Sequence, residues 1–189
     1  LHILNDALDM AKIDSGKLRL EKKPFCPLEV GRDIVDLFEP IAQVKNVAVR
    51  AHWHGPNADQ ARLGDEFRLR QVLSNLLSNA TKFTDEGGID VTFSGDADRL
   101  IVSISDTGCG MSEPDITDMF SPYIQAEDSV ARRKGGTGLG LPIVKKLVDL
   151  MHGNIAVSAH LNVGTTITVS LPMPVVAKPQ SPPAKSTDS

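Results

Sequence analysis

The chain has 189 residues, 41% of them hydrophobic and 23% charged, which is enough apolar material for one globular domain with some appended structure. A net charge of −4 argues against a broad basic surface for nucleic acid, and no apolar run is long enough for a transmembrane helix. Cys26 and Cys109 stand far apart and outside any CxxC pair, so a zinc site is not expected and a reduced, cytoplasmic setting is.

The chain opens mid-pattern at Leu1 without Met, as expected of a fragment of a longer protein. From Leu1 to Ile13, Leu1, Leu4, Leu8 and Ala11 recur at helical spacing, and Asp14-Ser15-Gly16 stops the helix. Lys17 to Pro24 alternates Leu with charge and reads as a short strand or an extended connector. A helix is predicted from about Leu28 into the forties, then a strand near Val47–His54. A second helix follows Asp65, a plausible N-cap. Strands are predicted near Ile89–Ser94 and Arg99–Ser105, with Gly87-Gly88 and Gly95-Asp96 as turn chemistry. After two glycine-bearing loops come a helix over Leu141–Met151, with Pro142 tolerable in its first turn, and strands at Ile155–Ala159 and Thr166–Leu171. The tight strand-to-strand turns argue for a mixed, largely antiparallel sheet in an α/β fold. Three regions are expected: residues 1–24 as a helix and connector, 25–172 as the domain proper, and 173–189 as a Pro-rich disordered linker or tail.

The helix after Asp65 carries the first chemical signal. At about 100° per residue, Leu69, Val72, Leu73, Leu76, Leu77, Ala80 and Phe83 share one broad face. Arg68, Gln71, Asn75, Asn79 and Lys82 form a narrow stripe beside it. A solvated face normally mixes acids and bases, yet this stripe has no acid, and asparagine is a mediocre helix former. Asparagine carbonyl oxygens are good Mg²⁺ ligands and lysine is a good phosphate partner, so the stripe fits a metal–phosphate group held over the core.

Two glycine loops supply the rest. DTGCGM, Asp106 to Met111, follows the apolar run LIVSIS. Gly108 and Gly110 allow close backbone approach to a flat ligand, and Asp106 is placed to accept from an exocyclic amine such as adenine N6. The same residues are also good turn chemistry. An aspartic protease needs two Asp-Thr-Gly loops and this chain has one. GGTGLGL, Gly135 to Leu141, ends a charged stretch and opens a helix, where exposed N–H groups bind phosphate. It lacks the preceding strand and GxGxxG pattern of a Rossmann loop, and the P-loop pattern is absent.

Together these pieces resemble the catalytic ATP-binding domain of sensor histidine kinases. RLRQVLSNLLSNATKFT is similar to the family's N box, DTGCGM to the G1 box, MFSPYIQ (Met119 to Gln125) to the F box, GGTGLGL to the G2 box, and GTTITVSLP (Gly164 to Pro172) to its closing strand. Residues 1–24 are similar to the end of the second dimerisation helix and its exit. The resemblance implies a two-layer α/β sandwich, the Bergerat fold, with helices on one face of a mixed sheet. It implies ATP and Mg²⁺ as ligands, with Asn79 on the metal and Asn75 assisting metal or phosphates. Lys82 would meet phosphate, Asp106 would read adenine, and Gly108 and Gly110 would shape the adenine floor beside Phe83 and Met111. Gly136, Gly138 and Gly140, with Thr137, Leu139 and Leu141, would hinge a lid facing the triphosphate. Arg132, Arg133 and Lys134 would be phosphate contacts on that lid, Phe120 and Tyr123 its base, and Thr165 a water-mediated adenine contact. Cys109, where an aliphatic residue is more usual, and Pro142 after the glycines depart from the pattern without removing a ligand.

The implied reaction is phosphoryl transfer to a histidine on a dimerisation helix, within a homodimeric parent that passes the phosphoryl group to a receiver domain. None of His2, His52, His54, His152 and His160 has the acceptor's context, so the acceptor is expected upstream of Leu1. A clamp-type ATPase on the same sandwich would carry a water-activating glutamate where this chain has Asn75, and an amide is a poor general base. A non-catalytic nucleotide-sensing module is the other alternative. The tail would suit a linker to a receiver domain in a hybrid kinase, or a plain C-terminal tail.

Overall fold

A computed structural model describes residues 2–55, 60–122 and 138–177. The elements in order are α1 (His2–Asp14), β1 (Lys23–Phe25), α2 (Pro27–Gln43), β2 (Ala48–Trp53), β3 (Ala61–Gly64), α3 (Glu66–Phe83), β4 (Gly88–Gly95), β5 (Arg99–Asp106), α4 (Glu113–Asp118), α5 (Gly140–Leu150), β6 (Asn154–His160), β7 (Gly164–Pro172) and β8 (Val175–Val176). Among the described residues no helix is long and apolar enough to cross a membrane.

The main sheet has strand order β2-β4-β5-β7-β6. β2 runs parallel to β4, and the remaining neighbours are antiparallel. Period-two alternation sets its two faces. Ile89, Val91 and Phe93 of β4, Leu100, Val102 and Ile104 of β5, and Ile167, Val169 and Leu171 of β7 are buried. They form one core with the apolar faces of α2, α3 and α5. The alternate positions hold Thr and Ser, which pair across strands as Ser103 with Thr168 at 3.1 Å and Ser105 with Thr166 at 2.8 Å. The fold is therefore a mixed α/β sandwich with a mostly antiparallel sheet.

α3 begins as the sequence predicts. The Asp65 carboxylate accepts the Arg68 N–H at 3.0 Å and also the Glu21 N–H at 2.8 Å, so one side chain caps the helix and anchors the incoming connector. Leu69, Val72, Leu73, Leu76, Leu77 and Ala80 are buried along it.

A second, three-stranded antiparallel sheet, β1-β3-β8, differs from the sequence reading. The boundary expected at residues 24 and 25 falls inside β1, and residues 173–177, expected in the tail, include β8. Met173 is 2% exposed, and β8 pairs with β3 through Arg62 and Val175. The cause is Arg62, itself fully buried. It donates to the Met173 carbonyl and to the Asp96 carbonyl, both at 2.8 Å, and ties the chain's exit to the β4–β5 turn. Burial lowers the pKa of its guanidinium, with the charge of Asp96 opposing the shift. The Pro-rich stretch from residue 178 lies outside the described residues.

Candidate functional site

Three pieces of backbone flank the C-terminal half of α3: the loop after β5 at Phe83, the start of α5 at Asn75, and the helix's own last turn. Asn75, Asn79 and Lys82 follow one another at i, i+4 and i+7 on α3, and all three are half-buried. The Asn75 amide donates to the Gln71 carbonyl at 3.1 Å. Its oxygen faces α5, since a Cβ built on Gly140 would lie 3.2 Å from Asn75 Oδ1. Glycine at that position lets the N–H groups opening α5 stand beside the asparagine. Among the described residues the half-buried Asn79 side chain makes no hydrogen bond, so its amide is open to solvent or to a ligand. The Lys82 ammonium sits 4.9 Å from the centroid of the Phe83 ring.

The loop after β5 is held against the end of α3. The Cys109 N–H donates to the Phe83 carbonyl at 3.4 Å, and the Gly108 N–H to Asp106 Oδ1 at 2.8 Å. A Cβ on Gly108 would lie 2.7 Å from that Phe83 oxygen, so no side chain fits there. Gly110 has a left-handed φ of 67°, and a Cβ would collide with the His160 carbonyl. Asp106 ends β5 opposite Thr165 of β7. Burial pushes its carboxyl above the ordinary aspartate pKa, outweighing the backbone N–H groups of Gly108 and Thr165 that favour the ionised form. Among the described residues no cation pairs with it. A desolvated carboxylate held only by backbone, beside two glycines, is suited to accept from a flat nitrogenous ligand.

The structure thus brings Asn75, Asn79, Lys82, Phe83, Asp106, Gly108, Gly110, Gly140 and Thr165 into neighbouring elements. Met111 is half-buried just before α4, whose Ser112 and Asp115 form a reciprocal cap. Phe120 follows α4, half-buried. Gly138 has a left-handed φ of 68°, Leu139 is buried, and Leu141 packs against the core. Tyr123, Arg132, Arg133, Lys134, Gly136 and Thr137 lie outside the described residues.

Two members of the polar stripe go elsewhere. Arg68 donates to Asp9 of α1 at 3.2 Å and Gln71 to the same carboxylate at 2.8 Å. They hold α1 against α3 rather than face the site, and Lys146 of α5 adds an ion pair to Asp14. Nothing in the local pattern around Asp9 announces this. Lys45, equally unmarked in the sequence, reaches the C-terminal end of α3.

A divalent cation fits the donors present. Among the described residues no cluster of three or more His, Cys, Asp or Glu exists. A magnesium ion carried in with phosphates needs only one or two protein oxygens. Asn79, half-buried and without a hydrogen-bond partner among the described residues, has a carbonyl oxygen open for that role.

Residues 64–175 match the model of the histidine kinase-, DNA gyrase B- and HSP90-like ATPase family. The chain belongs to that family. It is 37% identical over 186 residues to the autoinducer 2 sensor kinase/phosphatase LuxQ of Vibrio cholerae, covering 96% of this chain and 22% of that protein. It is 38% identical over 180 residues to the sensor histidine kinase RcsC of Escherichia coli K12, covering 95% and 19%. The chain therefore spans about a fifth of the length of these relatives. Among solved structures, full-length ShkA in complex with AMPPNP superposes with a TM-score of 0.83 at 30% identity, over 93% of this chain and 36% of that one. The catalytic domain of the histidine kinase ThkA superposes at 0.68 and 27% identity, over 80% and 95%. The chain is a histidine-kinase-type ATPase domain with the Bergerat fold, of the kind found in signal-transducing sensor kinases.

Proposed function

We propose that this domain binds Mg-ATP and presents the γ-phosphoryl group to a histidine on the parent protein's dimerisation domain. The observation that carries the reading is Asp106. Its carboxylate is desolvated and backed only by the Gly108 and Thr165 N–H groups, and it lies beside glycines that leave room for a flat base. Asp106 takes the adenine amine, with Thr165, Met111 and the Gly108–Gly110 backbone shaping the floor. Lys82 and the opening N–H groups of α5 at Gly140 hold the phosphates. Arg132, Arg133, Lys134, Gly136 and Thr137, outside the described residues, and Gly138 are the further phosphate contacts that the sequence resemblance implies. Asn79, assisted by Asn75, would hold the magnesium, which when bound would supply positive charge to offset that of the phosphates.

For phosphoryl transfer the protein's contribution is positioning and charge neutralisation. An attacking imidazole nitrogen uses its own lone pair and needs no general base, whereas attacking water does. Asn75, an amide, provides none, which favours histidine over water as acceptor. The parent is a homodimer that forwards the phosphoryl group to a receiver domain, with no nucleic acid involved.

The test is to mix this domain with a separately produced acceptor-histidine domain and γ-labelled ATP. Acid-labile label should appear on the acceptor and none on this chain. Rapid phosphate release without transfer would make the domain a clamp-type ATPase, and acid-labile label on this chain would place the acceptor within it.

A further inference from the structure

The last four carbonyls of any α-helix lack intrahelical partners, and in α3 every one of them can be followed. The Ala80 carbonyl takes the Thr84 N–H at 2.9 Å, and the Phe83 carbonyl takes the Cys109 N–H. The remaining two go to one side chain. Lys45 Nζ donates to the Thr81 carbonyl at 2.9 Å and the Lys82 carbonyl at 3.3 Å. It also reaches the Thr84 carbonyl at 3.3 Å, with Asp85 Oδ1 at 3.5 Å.

Lys45 is itself held in place. α2 ends two residues earlier, at Gln43, and Asn46 takes a left-handed φ of 58°. The Lys45 and Val47 N–H groups both return to the Ala42 carbonyl, at 2.9 and 3.1 Å. The ammonium therefore arrives at the end of α3 from a turn fixed by backbone bonds. A cation there complements the negative end of the helix dipole. Thr81 and Thr84 are 4% and 0% exposed, so with Lys45 in place their carbonyls depend on its ammonium rather than on solvent.

We infer that Lys45 is a positioning residue for the phosphate half of the nucleotide site. It acts through the backbone of the turn that carries Asn79 and Lys82. Its anchors are the Thr81, Lys82 and Thr84 carbonyls, and the Lys82 side chain leaves the same residue whose carbonyl Lys45 holds. The adenine half hangs on different bonds: Asp106 to Gly108, and Phe83 to Cys109. Lys45 also lies outside the family-matched residues 64–175. The inference rests on the Mg-ATP reading of the site.

The experiment compares Lys45→Met with wild type in Mg-ATP and adenosine titrations, both well below the thermal midpoint. Wild type must first bind Mg-ATP; if it does not, the Mg-ATP reading falls and the inference with it. The variant should lose about tenfold in Mg-ATP affinity and change little for adenosine. Equal losses for both ligands would show a merely structural role and overturn the inference, and so would no loss at all. If Lys45→Met does not fold, the same comparison on Lys45→Gln decides. That variant keeps a donor without the charge and should give a smaller loss, still confined to the phosphate ligand.

Discussion

The two halves of α3 carry the same kind of side chain and use it differently. In the first half Arg68 and Gln71 are spent on Asp9, and Asp65 caps the helix start. In the second half Asn79 is half-buried with no hydrogen bond among the described residues, and Asn75 turns its oxygen to the opening of α5. One half is satisfied by protein. The other keeps an amide without a protein partner among the described residues, where the ligand is proposed to sit, and the helix is finished by Lys45 and the Cys109 N–H from outside. A polar stripe at helical spacing is thus not one feature. Its partners decide which part is scaffold and which part is site.

The largest effect belongs to Asp106, beyond the ligand end. Asp106→Asn should abolish nucleotide binding, a loss of at least about 100-fold by titration. Its effect on stability should have the opposite sign. The folded pKa is raised, so the folded state resists ionising Asp106. That penalty is absent below the unfolded-state pKa, grows as pH rises toward the folded value, and is complete above it. The nucleotide-free variant should therefore melt at or above wild type at neutral pH, and the difference should vanish in acid. A neutral-pH fall of more than about 4 °C, roughly 1–2 kcal/mol for a domain of this size, would mean that Asp106 is structural instead.

Smaller and opposite is the effect at the scaffold end. Arg68 and Asp9 are only 14% and 19% exposed, so their pair is shielded from water. Arg68→Ala should cost about 1 kcal/mol in chemical denaturation and leave ATP affinity unchanged. A change in ATP affinity without loss of stability would put Arg68 in the site after all.

What could be read from sequence followed local pattern. The alternation of β4, β5 and β7, the Asp65 cap and the glycine loops are signals spanning a few residues. The small sheet was not legible, because β3 is four residues long and its organising side chain is a buried arginine. Arginine is ordinarily a surface residue, and only the Met173 and Asp96 carbonyls, 111 and 34 residues away, make its burial tolerable. The split of the α3 stripe was hidden for the same reason. Asp9 is 59 residues from Arg68, and nothing near Arg68 distinguishes it from Lys82. Lys45 leaves no pattern either, since three of its four partners are backbone carbonyls that any residue would supply.

The claim that the C-terminal half of α3 is the ligand end is tested most directly by titrating ATP, with and without Mg²⁺, into wild type and Asn79→Ala. Wild type should bind ATP about tenfold more tightly with Mg²⁺. Asn79→Ala should keep the metal-free affinity and the thermal midpoint but lose the gain from Mg²⁺. An Asn79→Ala variant that retains the full magnesium gain would contradict the account.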